Sequence, residues 1–182
     1  LVRAIERHYP DPGHAVDLWA RRFLRKDGPT KTMDLLTDLT AAIKGDQFKY
    51  ESREAEGIQS PAETLRLRSG TCRDFALLMM EAARALNLAA RFVSGYLYVP
   101  QLDKQPAQPG EAARGGGTTH AWVQIYLPGA GWVEFDPTNA IVGNRDLIRV
   151  AVARDPAQAV PLSGTWTGAA SDFLGLTVDV QV

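Results

Sequence analysis

Gly70-Thr71-Cys72-Arg73-Asp74-Phe75-Ala76-Leu77-Leu78-Met79-Met80-Glu81-Ala82-Ala83-Arg84-Ala85-Leu86-Asn87 is the stretch on which the reading of this chain turns. Gly70 breaks the backbone, strong helix formers follow, and Asn87 suits the left-handed residue that closes a helix. Ala76, Met79, Met80, Ala83 and Leu86 fall on one continuous apolar face, which predicts a central, buried helix. Cys72, the only cysteine of the 182 residues, stands in its first turn. A thiol there meets unpaired amides and the positive end of the helix dipole, and both favour the nucleophilic thiolate. Free cysteine is also among the most buried residue types, so a merely core-filling Cys72 competes evenly until partners are found.

Upstream, the periodicity is helical. Ala15, Leu18, Trp19 and Arg22 predict a helix over His14 to Leu24, and Met33, Leu36, Leu39 and Ile43 predict a second from Thr32 to Ile43, stopped by Gly45. Ser60-Pro61-Ala62-Glu63 combines an N-cap, a first-turn proline and an acidic third position, so a short helix starts there and ends near Arg68.

Downstream, the period changes. Arg91 to Val99 and His120 to Leu127 are β-branched and aromatic, and Pro128-Gly129-Ala130-Gly131 turns the second into Trp132-Val133-Glu134-Phe135-Asp136 as an antiparallel hairpin. Ile148 to Ala153 and Leu176 to Val182 read as further strands. Between residues 99 and 118 a Pro-, Gln-, Gly- and Ala-rich stretch has little to bury and reads as a mobile loop. Helices followed by antiparallel strands define the α+β class. The expected organisation is one domain over 1–182, helical to about residue 89 and β-rich from about residue 90.

The hairpin supplies the partners that Cys72 needs. His120 opens one strand and Asp136 closes the next, with the turn near their midpoint, so the strand ends meet. A carboxylate beside an imidazole holds one tautomer and stabilises imidazolium, which is what the general base of a thiol requires. Singly, His120 is a strand-end polar residue and Asp136 a turn former before Pro137. Asp74 has a plain role against the helix dipole. Trp122 and Trp132 read as core or cleft wall rather than substrate contacts.

Together the blocks resemble a known family. Ser69-Gly70-Thr71-Cys72-Arg73-Asp74-Phe75-Ala76, Ala90 to Tyr96, Thr119-His120-Ala121-Trp122-Val123 and Gly131-Trp132-Val133-Glu134-Phe135-Asp136-Pro137-Thr138-Asn139 resemble bacterial proteins of the transglutaminase-like superfamily in order and spacing. The likeness runs from about Leu35 to Asn139. It implies a papain-like α+β core with the Cys-bearing helix packed on an antiparallel sheet. It also implies a catalytic triad of Cys72 as nucleophile, His120 as base and Asp136 as orienting acid. The implied activity is thiol-dependent acyl transfer on peptide-like amides, ending in hydrolysis or transamidation. The alternative from another class is a catalytically silent domain that binds proteins. The backbone amide of Cys72 is the natural first oxyanion donor. By the family's habit of an aromatic or amide side chain upstream, Gln47, Tyr50 or Gln59 supplies the second, with Tyr50 preferred.

Composition narrows the partners. Net charge is −1, from 20 basic and 21 acidic residues, which gives no electrostatic reason to expect nucleic acid or an anionic membrane. The partner that the resemblance implies is a protein or peptide substrate. No apolar run reaches the roughly 18 residues of a membrane helix, and Leu1-Val2-Arg3-Ala4 lacks the zones of a signal peptide. The single thiol suits a reducing compartment, so the expected location is the cytoplasm. His8 and His14 lack zinc-ligand spacing, no calcium-loop pattern occurs, and no cofactor or metal is expected. The chain opens on Leu1 rather than Met, and bacterial members of the family often carry a β-rich domain ahead of the core; the expectation is a piece of a longer protein.

Overall fold

The switch from helical to β periodicity after Asn87 divides the architecture in the computed structural model, which describes residues 1–45, 48–51, 57–99, 119–143, 145–160, 164–165 and 167–175. Its helices are α1 (Val2–Ile5), α2 (Ala15–Arg21), α3 (Thr32–Lys44), α4 (Pro61–Leu67) and α5 (Cys72–Ala85). The strands are β1 (Lys49–Tyr50), β2 (Ser69–Gly70), β3 (Ala90–Leu97), β4 (Thr119–Leu127), β5 (Gly131–Asp136), β6 (Ile141–Val142) and β7 (Leu147–Ala153). β1 and β2 pair in parallel; the other five form an antiparallel sheet in the order β6-β5-β4-β3-β7.

α5 lies across β4 and β3, with α2 and α4 on its other sides. The expected apolar face understates its burial, because every residue from 76 to 83 is fully enclosed. A helix packed all round must pair its charged members. Glu81 accepts from Arg84 at 2.9 Å, and the Arg84 guanidinium also donates to the carbonyls of Ala4 (3.1 Å), Ala90 (3.0 Å) and Arg154 (2.8 Å). One buried cation thus fastens the N-terminal segment, the helix and the sheet together. At the C-terminal end, Asn87 takes the expected left-handed conformation with φ 59°.

The sheet has two working faces. Ala121, Val123, Ile125 and Leu127 of β4 pack beneath α5 with Ala90, Phe92 and Phe135. The alternate residues His120, Trp122 and Gln124 take the opposite face, as period-2 geometry requires, and Trp122 joins Val93, Leu97 and Leu147 in a second cluster.

Several predicted boundaries shift. His14 stands just before α2 with φ 55°, a left-handed residue that cannot begin a helix, and α2 ends at Arg21 rather than Leu24. Ser60 does cap α4, its hydroxyl accepting from the Glu63 amide at 3.3 Å, and Arg68 closes that helix. α1, β1, β2 and β6 are too short to leave a period in the sequence. The strand expected over 176–182 and residues 100–118 of the expected loop lie outside the described residues.

Candidate active site

Local chemistry fixes the start of α5 before any tertiary contact is considered. Asp74 is fully buried; its Oδ2 accepts from the backbone and hydroxyl of Thr71 (2.8 and 2.9 Å) and its Oδ1 from the backbone of Gln59 (2.7 Å). The carboxylate therefore locks the turn preceding Cys72 to the loop ahead of α4. Gly70 makes the turn possible, since a Cβ there would stand 2.9 Å from Cβ of Asp74. Cys72, carried on this rigid corner, retains 8% of its surface.

The β4–β5 hairpin builds the other half. Val123 pairs with Phe135, which sets Asp136 opposite Trp122 and one diagonal step from His120 on the same face. His120 Nε2–H donates to Asp136 Oδ2 at 2.8 Å, with both residues buried. The Asp136 carboxylate is itself fixed: the amides of Thr138 (2.9 Å) and Asn139 (3.3 Å) donate to Oδ1, and Asn139 Nδ2 donates to Oδ2 at 2.8 Å. Asp-Pro-Thr-Asn closes on its own acid as an Asx turn. Trp122 stacks on the imidazole at 6.0 Å between ring centres and an interplanar angle of 30°, and its indole N–H is held by Glu134.

These contacts distinguish the two ring nitrogens. Nε2 is committed to Asp136, whereas Nδ1 is buried with no hydrogen-bond partner among the described residues. Cys72 interacts with this imidazole, so the nitrogen left for the thiol is Nδ1. Burial alone disfavours the charged ring, yet the hydrogen bond to Asp136, the neighbouring Cys72 sulfur and the charges of both outweigh it, and the His120 pKa is pushed up to about 9. The site therefore stores a proton on His120 at neutral pH.

The remaining sequence candidates separate. Tyr50 pairs with Gly70 across β1 and β2 and rests edge-on against Phe75 at 6.3 Å, beside the turn that leads into Cys72. Gln59 is spoken for: its side-chain amide donates to Thr64 Oγ1 (3.0 Å) and the Ser69 carbonyl (2.9 Å). Gln47 lies outside the described residues. Trp132 stands apart from the site under the Arg91 guanidinium, 4.0 Å from its ring centre. Asn139 had no role assigned from sequence, although its place three residues after Asp136 in an Asx turn was the available signal. A cleft of about 490 Å³ opens beside the site, lined by Tyr9, Gly57, Ile58, Arg73, Thr119, Ala157 and Val160. Arg73 and Thr119 are the chain neighbours of Cys72 and His120. Among the described residues, no group of three or more His, Cys, Asp or Glu side chains is placed to hold a metal ion, and no helix is long and apolar enough to cross a membrane.

A helix presenting a thiol at its N-terminus, packed on an antiparallel sheet whose hairpin presents a His–Asp pair, defines the papain-like α+β class. The chain belongs to the transglutaminase-like superfamily, whose sequence profile matches residues 19–137. It is 34% identical over 153 residues to an uncharacterized protein of Mycobacterium tuberculosis, a match covering 81% of this chain and 47% of that one. Among solved structures, it is similar to a candidate cysteine protease from Cytophaga hutchinsonii, with TM-score 0.65 and 25% identity over 87% of this chain and 48% of that one. The periplasmic domain of TgpA from Pseudomonas aeruginosa shares the fold, with TM-score 0.55 and 22% identity over 76% of this chain and 46% of that one. The chain spans just under half the length of these proteins.

Proposed function

We propose that this chain performs thiol-dependent acyl transfer on peptide-like amides through Cys72, His120 and Asp136. The observation that carries the reading is the buried imidazole with one nitrogen anchored to Asp136 and the other, without a hydrogen-bond partner among the described residues, left for the thiol. The Cys72 sulfur attacks the amide carbonyl and forms the C–S bond, while the carbonyl π electrons move to oxygen. His120 then gives its proton to the departing nitrogen as the C–N bond breaks, leaving a thioester and a free amine. Water or a second amine gives a proton to His120 as it attacks the thioester carbonyl; the C–S bond breaks and the Cys72 thiolate leaves beside the protonated imidazole, with acid or new amide as product. The Cys72 amide and the Tyr50 hydroxyl are the proposed donors to the transient oxyanion. The Cytophaga protein's description as a candidate cysteine protease agrees with this chemistry.

Alkylation of Cys72 by iodoacetamide across pH, in the native chain and in His120→Ala, tests the nucleophile–base pair. The expected result is a rate at least about tenfold lower at neutral pH in His120→Ala; an unchanged rate would favour the silent, protein-binding alternative. Intact-mass detection of a Cys72 acyl adduct from a peptide library, with and without added amine, identifies the acyl donor and separates hydrolysis from transamidation. For location, the lone thiol supports the cytoplasm. Recovery of the full protein in a periplasmic fraction, as the TgpA domain's description would suggest by analogy, would overturn that placement.

A further inference from the structure

The cleft beside Cys72 is mostly apolar. Gly57, Ile58, Ala157 and Val160 give it hydrocarbon walls, and its polar groups are the Tyr9 and Thr119 hydroxyls and the Arg73 guanidinium. Its volume of about 490 Å³ falls within the roughly 300–1,000 Å³ of ligand-binding clefts.

Arg73 is half-buried in this wall and, among the described residues, makes no ion pair. Its one hydrogen bond within the described residues runs from Nη2 to the Pro156 carbonyl at 3.1 Å, and the Phe92 ring lies beneath it at 5.3 Å. The adjacent carboxylate of Asp74 is turned inward onto Gln59 and Thr71. Asp155, the chain neighbour of Pro156, is occupied by the Tyr9 hydroxyl (3.1 Å) and the Ala157 amide (2.8 Å). Burial and then the Asp155 charge push the Tyr9 pKa up to about 12, so that hydroxyl stays neutral. A guanidinium taken partly out of water retains most of its five donors for a ligand, and it matches a carboxylate better than any neutral acceptor.

We propose that Arg73 determines substrate specificity by binding a carboxylate on the acyl donor, so that the cleft takes an acidic peptide. This rests on the acyl-transfer reading above. A glutamine side chain of the same size offers one acceptor and turns its own N–H groups toward the cation, so the cleft discriminates by charge rather than by length.

The test uses N-acetyl tripeptide aminocoumarin amides carrying Glu, Gln, Leu or Lys in turn at each position. The readout is the Glu:Gln ratio of kcat/KM, which cancels a general loss of activity in a variant. The native chain is expected to favour Glu at least tenfold at one position. That ratio should fall within twofold of unity in Arg73→Met and partly recover in Arg73→Lys, the second variant guarding against a folding defect. A native ratio near unity, or a preference that survives Arg73→Met, overturns the inference while leaving acyl transfer standing. If no peptide is turned over, acyl transfer on these donors fails, and binding of the same peptides to Cys72→Ala by fluorescence polarisation decides. Tenfold tighter binding of a Glu peptide, lost in Cys72→Ala/Arg73→Met, supports the charge reading; equal or absent binding overturns it.

Discussion

Replacing Asp136 by Asn keeps the size of the side chain and removes the charge that holds the His120 proton. The imidazole pKa stands at about 9 against the ordinary 6.5, a difference that corresponds to about 3–4 kcal/mol in favour of imidazolium at roughly 1.4 kcal/mol per unit. An adjacent opposite charge accounts for shifts of about 1–3 units, and burial opposes the charged ring once that charge is gone. In Asp136→Asn the new amide still accepts from Thr138 and Asn139 through its oxygen, so its nitrogen faces His120 Nε2 and donates to it. The ring then carries its hydrogen on Nδ1, the nitrogen left for Cys72, and cannot accept the thiol proton there. The expected outcome is a His120 titration lowered by about 1–3 units, acyl transfer at pH 7 reduced by about 10²–10⁴-fold, and alkylation at pH 7 reduced by about tenfold as the thiolate population falls toward that of a free thiol. Long-range nitrogen–proton NMR of the ring from pH 5 to 10 reads the first, and iodoacetamide kinetics the second. Because the native pKa is raised, the stability it contributes is full below about pH 6.5 and is lost as pH rises through about 9. The gap in Tm between the two proteins should therefore be widest near the acid end of that window and close toward its alkaline end. An unchanged His120 titration, or alkylation within threefold of native, would refute the reasoning.

Gly70→Ala places a Cβ 2.9 Å from the Asp74 Cβ; overpacking of about 1–3 kcal/mol should lower Tm by several degrees in thermal unfolding, and an unchanged Tm would contradict a rigid turn. Asn139→Ala removes one hydrogen bond from Asp136, and kcat should fall about tenfold with KM unaltered, consistent with a loss of about 1.5 kcal/mol; a rise in KM alone would mark Asn139 as a substrate contact. Tyr50→Phe, if the phenol donates to the oxyanion, should lower kcat by about 10²–10³-fold, whereas an unaltered kcat would assign the second donor elsewhere.

Much of the site was legible because its determinants are local. The α5 helix, its N-terminal thiol and the glycine turn ahead of it follow from propensity and capping within neighbouring residues. The His120–Asp136 pairing follows from a turn of a few residues between two clear strands. Asn139 was legible in principle, since an Asx turn is a local motif, but its contact with the Asp136 carboxylate depends on the turn's exact path. Gln59 stood behind Tyr50 as a candidate donor in one dimension; the fold gives its amide to Thr64 and Ser69, residues that it meets only after α4 folds back.

By itself, then, the sequence determined the α+β class, the helix bearing Cys72 and the hairpin carrying His120 and Asp136, because hydrophobic period and turn chemistry act over a few residues. Only the tertiary structure decided which imidazole nitrogen is left for the thiol, how α5 is enclosed on every side and that Arg73 lines the cleft. Those properties depend on what distant segments place around a side chain, and burial and electrostatics are set by that surrounding rather than by the order of the chain.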